Sequence, residues 1–556
     1  MDNSVPSLNF IEQIIEHDLS NDLNSKSLCF RFPPEPNGYL HIGHVKAICL
    51  NFNLGIKYKA PVNLRFDDTN PQNEESKYVD AIKQDVKWLG YSWNKECYAS
   101  DYFEQLFEWA LFLIDNNFAY VDPQSSELIS EQKGTPTVPG TDSPYRNQSA
   151  EKSRQIFIEM SKGKHPEGTY VLRAKIDMKS PNMLMRDPVI YRVLNKSHHR
   201  TGDKWKVYPL YDWTHGESDY IEQISHSLCT LEFKPHRELY DWFLKVLPTK
   251  NRIPQQTEFA RLNLSYTVTS KRKLKQLVEE KIVNGWDDPR MPTISGLRRR
   301  GYTPESLRQF VETAGIAKRE NVIEASLLEF CVRDHLNKIS PRVNAVMNPV
   351  KLTLINYDKD EEFLDGEINP EQLALGTRKI PFSKNLYIER EDFKEEANRK
   401  FFRLTLGKEV RLKNAYIIKG ESVIKDKNNQ VIEILCSYDK KSKSGSSTEE
   451  SKRKVKGTLH WVSQHHAIRA KINVYDRLFS DPSPDQHKVK SFLDFVNPNS
   501  LTTQTAFIEP SVLKAKAGDR FQFQRVGYFY VDNDSTSKDL IFNKTVGLRN
   551  NWTHNK

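Results

Sequence analysis

The chain has 556 residues, with 82 Lys and Arg against 73 Asp and Glu and a formal net charge of +9. At ~100–200 residues per domain this length implies roughly three to five domains and excludes a single small binding module. With 38% hydrophobic and 28% charged residues the chain can bury several cores, which excludes wholesale disorder. No uninterrupted apolar run reaches the ~18 residues of a membrane span, and the opening MDNSVPSLNFIEQIIEHD is acidic where a signal peptide is basic and then apolar. A soluble, cytoplasmic protein with no membrane partner is expected. Cys29, Cys49, Cys97, Cys229, Cys331 and Cys436 stand far apart, so reduced thiols are expected and no thiolate metal site. The positive excess suits a polyanionic partner, but spread over a large surface it serves solubility equally well.

Along the chain, Phe10, Ile11, Ile14 and Ile15 fall at helical spacing and predict an amphipathic helix within residues 1–25. The run Leu28–Phe32 reads as a strand stopped by Pro33 and Pro34, followed by a turn at 36–38 and a helix from His41. A second strand over Val62–Phe66 ends on Asp67 and Asp68, and a helix is predicted around Tyr78–Leu89. This alternation predicts an α/β doubly wound sheet over 26–100 and 211–274. Residues 101–210 mix helical and strand patterns and read as an insertion; Ser227–Phe233 reads as a further strand end. Helical spacing dominates 275–338, an expected all-helical connector. From 339 to 556, short apolar runs such as Val350–Ile355 and Asn414–Ile418 predict β-barrels. Residues 440–456, with seven basic and two acidic side chains, read as a solvated loop tip.

The chemistry concentrates at two places. His41-Ile42-Gly43-His44 sits where a strand gives way to a helix, and a helix N-terminus offers backbone N–H groups to a phosphate. Gly43 would let a nucleotide approach the backbone, and both histidines could donate to phosphate oxygens as charge builds on them. Alone, these four residues fit two surface histidines on an ordinary helix better than a nucleotide site. Thr269-Ser270-Lys271, after Arg261 and Leu262, adds a mobile cation suited to a leaving pyrophosphate.

These two elements, with PPEPNGYLHIGH at 33–44, LRFDDTNP at 64–71, WDDPRMPT at 286–293 and GLRRRG at 296–301, resemble the glutaminyl/glutamyl branch of the class I aminoacyl-tRNA synthetases. The similarity spans about residues 9–550, and the β-rich C-terminal half resembles the glutaminyl-tRNA synthetases. The fold it implies is a class I Rossmann-like α/β catalytic domain with an acceptor-binding insertion, a helical connector and two C-terminal β-barrel anticodon-binding domains. The activity it implies is ligation of L-glutamine to the terminal ribose 2′-hydroxyl of tRNA(Gln) by way of an adenylate, by a monomer using ATP and Mg²⁺. A glutamyl-tRNA synthetase of the archaeal or eukaryotic type is the alternative.

The resemblance places ATP against Glu35, Pro36, Asn37, His41, Ile42, Gly43, His44, Val45, Lys46, Ala47, Thr230, Arg261, Leu262, Thr269, Ser270 and Lys271, with His41, His44 and Lys271 catalytic and Thr269 replacing the family's methionine. For glutamine it implies Asp67 on the α-ammonium, Tyr211, Arg31 and Cys229. Glutamyl relatives have arginine at the last of these positions, and a neutral thiol cannot pair with a γ-carboxylate. For tRNA it implies Pro136 as an acceptor-end wedge, and Arg342, Lys400, Arg403, Lys413, Gln522 and Arg525 at the anticodon. Pro235 replaces an aspartate that reads an acceptor pair, which moves that task to Lys234, His236 or Arg237.

Overall fold

The computed structural model describes residues 8–21, 23–72 and 74–549. The chain forms two compact units, one of residues 1–263 with 311–323, the other of 264–310 with 324–556. Residues 1–7 of the N-terminal segment lie outside the described residues.

In the first unit, helix α1 (Phe10–Ser20) starts on a capping box between Asn9 and Glu12 and buries Ile11 and Ile15. Strands β1 (Phe30–Phe32), β2 (Val62–Phe66) and β3 (Glu96–Tyr98) pair in parallel, with helices α2 (Ile42–Tyr58) and α3 (Ser76–Trp88) as the crossovers. β1 and β2 are buried at every position, as expected of strands covered on both faces. Helix α4 (Phe103–Asp115) opens the insertion. It carries an antiparallel sheet of β4 (Ala119–Asp122), β5 (Val171–Ala174), β6 (Val189–Val193) and β7 (Val207–Pro209), with helices α5 (Ser126–Gln132) and α6 (Ala150–Ser161). Helix α7 (Tyr211–Ile221) returns the chain to β8 (His226–Thr230), and after α8 (Arg237–Val246) comes β9 (Gln255–Phe259), parallel to β8. β8 runs beside β1, where Ser225 N donates to Cys29 O (3.0 Å). The resulting order β3-β2-β1-β8-β9 reverses direction between β1 and β8, which is where doubly wound sheets place their ligands. The strand predicted to run on to Phe233 stops at Thr230, and Leu231–His236 is a 3₁₀ helix.

The helical stretch is α9 (Lys271–Glu279), α10 (Ile294–Arg300), α11 (Pro304–Ala314) and α12 (Ala325–Ile339); α9, α10 and α12 belong to the second unit, the division between the units falls within α11, and a two-residue strand at Val322–Ile323, in the first unit, interrupts the helices before α12. Two seven-stranded sheets follow. In one, the edge strands are Arg342–Val343 and Ala345–Val346, consecutive pieces of chain on opposite edges, so the sheet closes on itself. The other closes the same way through Thr458–Leu459 and Val462–Ser463. The second barrel (349–463) is inserted into the first between residues 346 and 468. A long excursion, residues 476–500, leaves the first barrel between strands Ile468–Tyr475 and Leu501–Ile508, and its Leu478, Phe479 and Phe492 form one core with Val268, Leu274, Leu277, Val283 and Met291. Tyr266 N donates to Pro482 O (2.9 Å), which fixes the register of that packing.

Two local expectations are corrected. The strand predicted over Asn414–Ile418 starts only at Ile417, because Asn414 takes the left-handed conformation (φ 59°) that asparagine tolerates in turns. The 440–456 segment is more ordered than a loop tip: Ser442 is fully buried, a short helix covers Glu449–Lys452, and Arg411 donates to the carbonyls of Ser442 (3.0 Å) and Ser451 (2.8 Å).

Candidate active site

The HIGH turn builds its own geometry. His41 is the N-cap of α2, and its Nδ1 accepts from Gly43 N (3.1 Å), while His44 Nδ1 accepts from His41 N (3.1 Å). The rings stand 3.9 Å apart between centroids. With Nδ1 of each ring accepting, the proton of each neutral imidazole is on Nε2, the atom that would donate to a phosphate oxygen. Gly43 has a second reason to be glycine: a Cβ there would lie 2.9 Å from His41 Cε1, so a side chain would dislodge the capping ring. Leu262 O lies 3.9 Å from that same point, and Thr230 and Arg261 both approach Glu232, so these parts of the expected ATP pocket converge in the first unit. Glu35 is exposed, Pro36 buried and Asn37 half-buried in the turn before α2, where Asn37 N donates to Glu35 O (2.9 Å). Ile42 and Val45 are core residues, Ala47 follows on the same helix, and burial lowers the pKa of Lys46. Thr269, Ser270 and Lys271 belong to the second unit, Ser270 as the N-cap of α9 and Lys271 as its first residue.

Under the β1/β8 crevice lies a buried network of charges. Arg31 on β1 donates to Asp219 Oδ1 (2.9 Å), Leu228 O (2.9 Å) and Ser227 Oγ (2.8 Å). Arg65 on β2 donates to Asp67 Oδ1 (2.8 Å) and to the same Asp219 oxygen (2.6 Å). Asp219 Oδ2 accepts from Ser227 (2.6 Å) and Tyr240 (3.1 Å). Against the cost of burial, Arg31 and Arg65 hold the Asp219 carboxyl below the usual carboxylate range. Asp67, 3% exposed, has one oxygen on Arg65 and the other, Oδ2, buried with no hydrogen-bond partner among the described residues. Burial outweighs Arg65 there and pushes Asp67 up to about 6. An ammonium group beside Oδ2 would complete the pair.

Tyr211, the first residue of α7, lies ring to ring with His215 (5.0 Å, 19°), and burial with the nearby Asp67 charge raises its hydroxyl pKa. Burial also drives His215 down to about 3, so that ring is neutral. Cys229 on β8 is buried and pushed up to about 12, a neutral thiol at any working pH. The sequence reading missed Arg65, Asp219, Ser227 and Gln256, whose Oε1 is buried and unpartnered among the described residues while its Nε2 donates to Phe233 O (3.0 Å). The legible signal was the pair of arginines on neighbouring strands, since two buried cations demand an anion. Of the three cations offered in place of Pro235, Arg237 is committed to Glu258 (Nε to Oε1 2.9 Å) and His236 to Asp212 (2.5 Å).

The loop holding Pro136 is gripped from beneath by Arg186, whose Nη1 reaches the carbonyls of Lys133 (2.5 Å), Thr135 (2.9 Å) and Val138 (2.9 Å). Pro136 is exposed at its tip beside Val138, itself 55% exposed. In the barrels, Arg342 is buried and held by Asn337 and Ser340, and Gln522 donates to Tyr528 OH (2.8 Å). Burial, with Arg378 and Arg342 nearby, lowers Lys413. Arg525, at the left-handed tip of a hairpin (φ 67°), grips Asp392 with both Nη atoms (2.5 and 2.9 Å), and Arg403 reaches the same carboxylate (3.2 Å). Lys400 is exposed in a turn.

Residues 27–338 match the family described as tRNA synthetases class I (E and Q), catalytic domain, and residues 340–439 and 458–532 match its anti-codon binding domains. The chain belongs to the class I tRNA synthetases of the E and Q family. Among similar proteins, the glutamine-tRNA ligase of Rhodopirellula baltica is 52% identical over 98% of this chain and 90% of that protein. The glutamine-tRNA ligase of Vibrio vulnificus is 53% identical over 98% of this chain and 97% of its own length, and that of Clostridium perfringens 51% over 99% and 100%. In this class I tRNA synthetase the crevice at β1/β8 is therefore the candidate amino-acid pocket and the HIGH turn the candidate nucleotide site.

Proposed function

We propose that this synthetase ligates L-glutamine to tRNA(Gln), as a cytoplasmic monomer acting with ATP and Mg²⁺. The observation that carries the choice of glutamine is the charge balance of the pocket. Arg31 and Arg65 are already matched by Asp67 and Asp219, with Glu222 a further 3.5 Å from Arg65, and the named donors of Arg31 are spent on Asp219, Leu228 O and Ser227. A γ-carboxylate would bring an uncompensated anion against the neutral thiol of Cys229, a cost of several kcal/mol in a buried site. A neutral amide adds no charge. Asp67 Oδ2 takes the α-ammonium, Tyr211 offers its neutral hydroxyl to the side-chain end, and the glutamine carboxylate then attacks the α-phosphorus of ATP. His41 and His44 donate from Nε2 to the phosphates as charge builds, and Lys271 neutralises the departing pyrophosphate. The 2′-hydroxyl of the terminal adenosine next attacks the adenylate carbonyl and releases AMP.

Magnesium does not fit the only three-residue metal-capable group among the described residues, Asp68, His198 and His199. Two of its three ligands are nitrogens, which suit that hard cation poorly. His198 Nδ1 also accepts from Arg200 N and Thr201 N (3.2 Å each), so its proton is on Nε2, which donates to Asp68 O (2.9 Å). The Mg²⁺ reading rests on ATP, whose phosphates ordinarily carry that ion. The test is pyrophosphate exchange with glutamine and glutamate side by side, with and without tRNA(Gln). Exchange with glutamine in the presence of tRNA is expected; equal or greater exchange with glutamate overturns the reading.

A further inference from the structure

Outside the first unit, one concentration of charge is not balanced. In the second unit a cavity of about 680 Å³ is lined by six arginines and one lysine against two carboxylates, Glu329 and Asp476. The cations come from separate segments: Arg300 ends α10, Arg333 lies on α12, Arg477 follows a barrel strand and Lys544 sits within another.

Their compensation is uneven. Arg403 and Arg525 share Asp392. Glu329 is divided between Arg333 (3.9 Å) and Arg477 (3.6 Å). Arg300 donates only to neutral carbonyls, Thr545 O (3.3 Å) and Tyr475 O (3.2 Å). No carboxylate among the described residues pairs with Lys544; burial and the charge of Arg300 both lower its pKa, with Asp476 opposing. Holding so many like charges around half-buried walls costs free energy that an anionic ligand would offset. The only aromatic residue lining the cavity, Tyr475, is 9% exposed and its hydroxyl contacts Asn543 (3.2 Å), so no ring face is offered for a base to stack on. Phosphates, and not bases, match such a lining.

We infer that this groove is a phosphate-contact site for the sugar-phosphate backbone of the bound tRNA, with Arg300, Arg333, Arg477 and Lys544 touching phosphates without reading sequence. The inference rests on the tRNA-ligase reading and adds a contact set that the anticodon residues do not include.

The test measures binding of full-length protein to tRNA(Gln) and to a transcript with a changed anticodon, across a salt series, for wild type, Lys544→Met, Lys544→Arg and Arg333→Met. Each Met variant is expected to weaken both RNAs several-fold by the same factor and to lower the slope of log affinity against log salt by about 1, while Lys544→Arg keeps the wild-type slope. Unchanged slope and affinity in both Met variants overturns the inference, and so does a loss confined to the cognate tRNA. Wild-type protein that binds no tRNA would instead overturn the ligase reading, so the two failures are distinguishable.

Discussion

The amino-acid crevice and the basic groove handle charge in opposite ways. In the crevice two arginines meet two aspartates at hydrogen-bond distance in full burial, leaving one carboxylate oxygen of Asp67 open. In the groove seven cations meet two lining carboxylates and Asp392 behind them, in half-exposed surroundings. A balanced, dry site resolves a single charge on a small substrate, because any surplus is felt at low dielectric. An unbalanced, wet site gathers many phosphates without choosing among them. On the proposed reading, selectivity for the amino acid and affinity for the nucleic acid belong to regions built on different electrostatic plans.

The sharpest break in that contrast is Asp219→Asn. It leaves Arg31 without its carboxylate and Arg65 with Asp67 and, at 3.5 Å, Glu222, and a loss of about 3–5 kcal/mol in chemical unfolding is expected. The surviving enzyme reports further: the Asp219 charge helps raise Asp67, so the acid limb of glutamine binding should move to lower pH. Next in size is Cys229→Arg, which adds a cation facing the balanced pair; the ratio of kcat/KM for glutamine to that for glutamate should fall by at least ~10-fold. If the ratio holds, Cys229 does not read the side chain. In the wild type, only ionised Asp67 attracts the α-ammonium, so 1/KM for glutamine should be flat above pH 7 and fall as pH drops through about 6, with KM for ATP following a different course. The smallest effect is expected from Arg403→Ala, which should raise KM for tRNA by a few-fold and leave KM for ATP in place, since Arg525 still holds Asp392.

Local signals in the sequence were readable and distant ones were not. The strand, turn and helix around residues 30–58 follow from proline, glycine and apolar spacing, and Asp67 announces itself at a strand end. Its controlling partners do not: Arg65 meets Asp219 154 positions away and Arg31 meets it 188 away, pairings that only the sheet order creates. The sequence suggests nucleotide approach as the reason for Gly43, yet its tightest neighbour is a side chain two residues earlier in its own turn. Barrel closure was equally hidden, because it depends on two-residue strands too short for any alternation to show.

The 476–500 excursion limits how this protein can be divided. The family boundary near residue 338 invites expression of a catalytic fragment alone. Such a fragment would keep Val268, Leu274 and Leu277 but lose Leu478, Phe479 and Phe492, the side chains that cover them. Each large apolar residue so uncovered forfeits about 1.5–3 kcal/mol, at the base of the helix whose first residue is Lys271. Two modules that match separate family models are, in this chain, spliced through a shared floor, and a cut between them would uncover the apolar base of the helix that Lys271 begins.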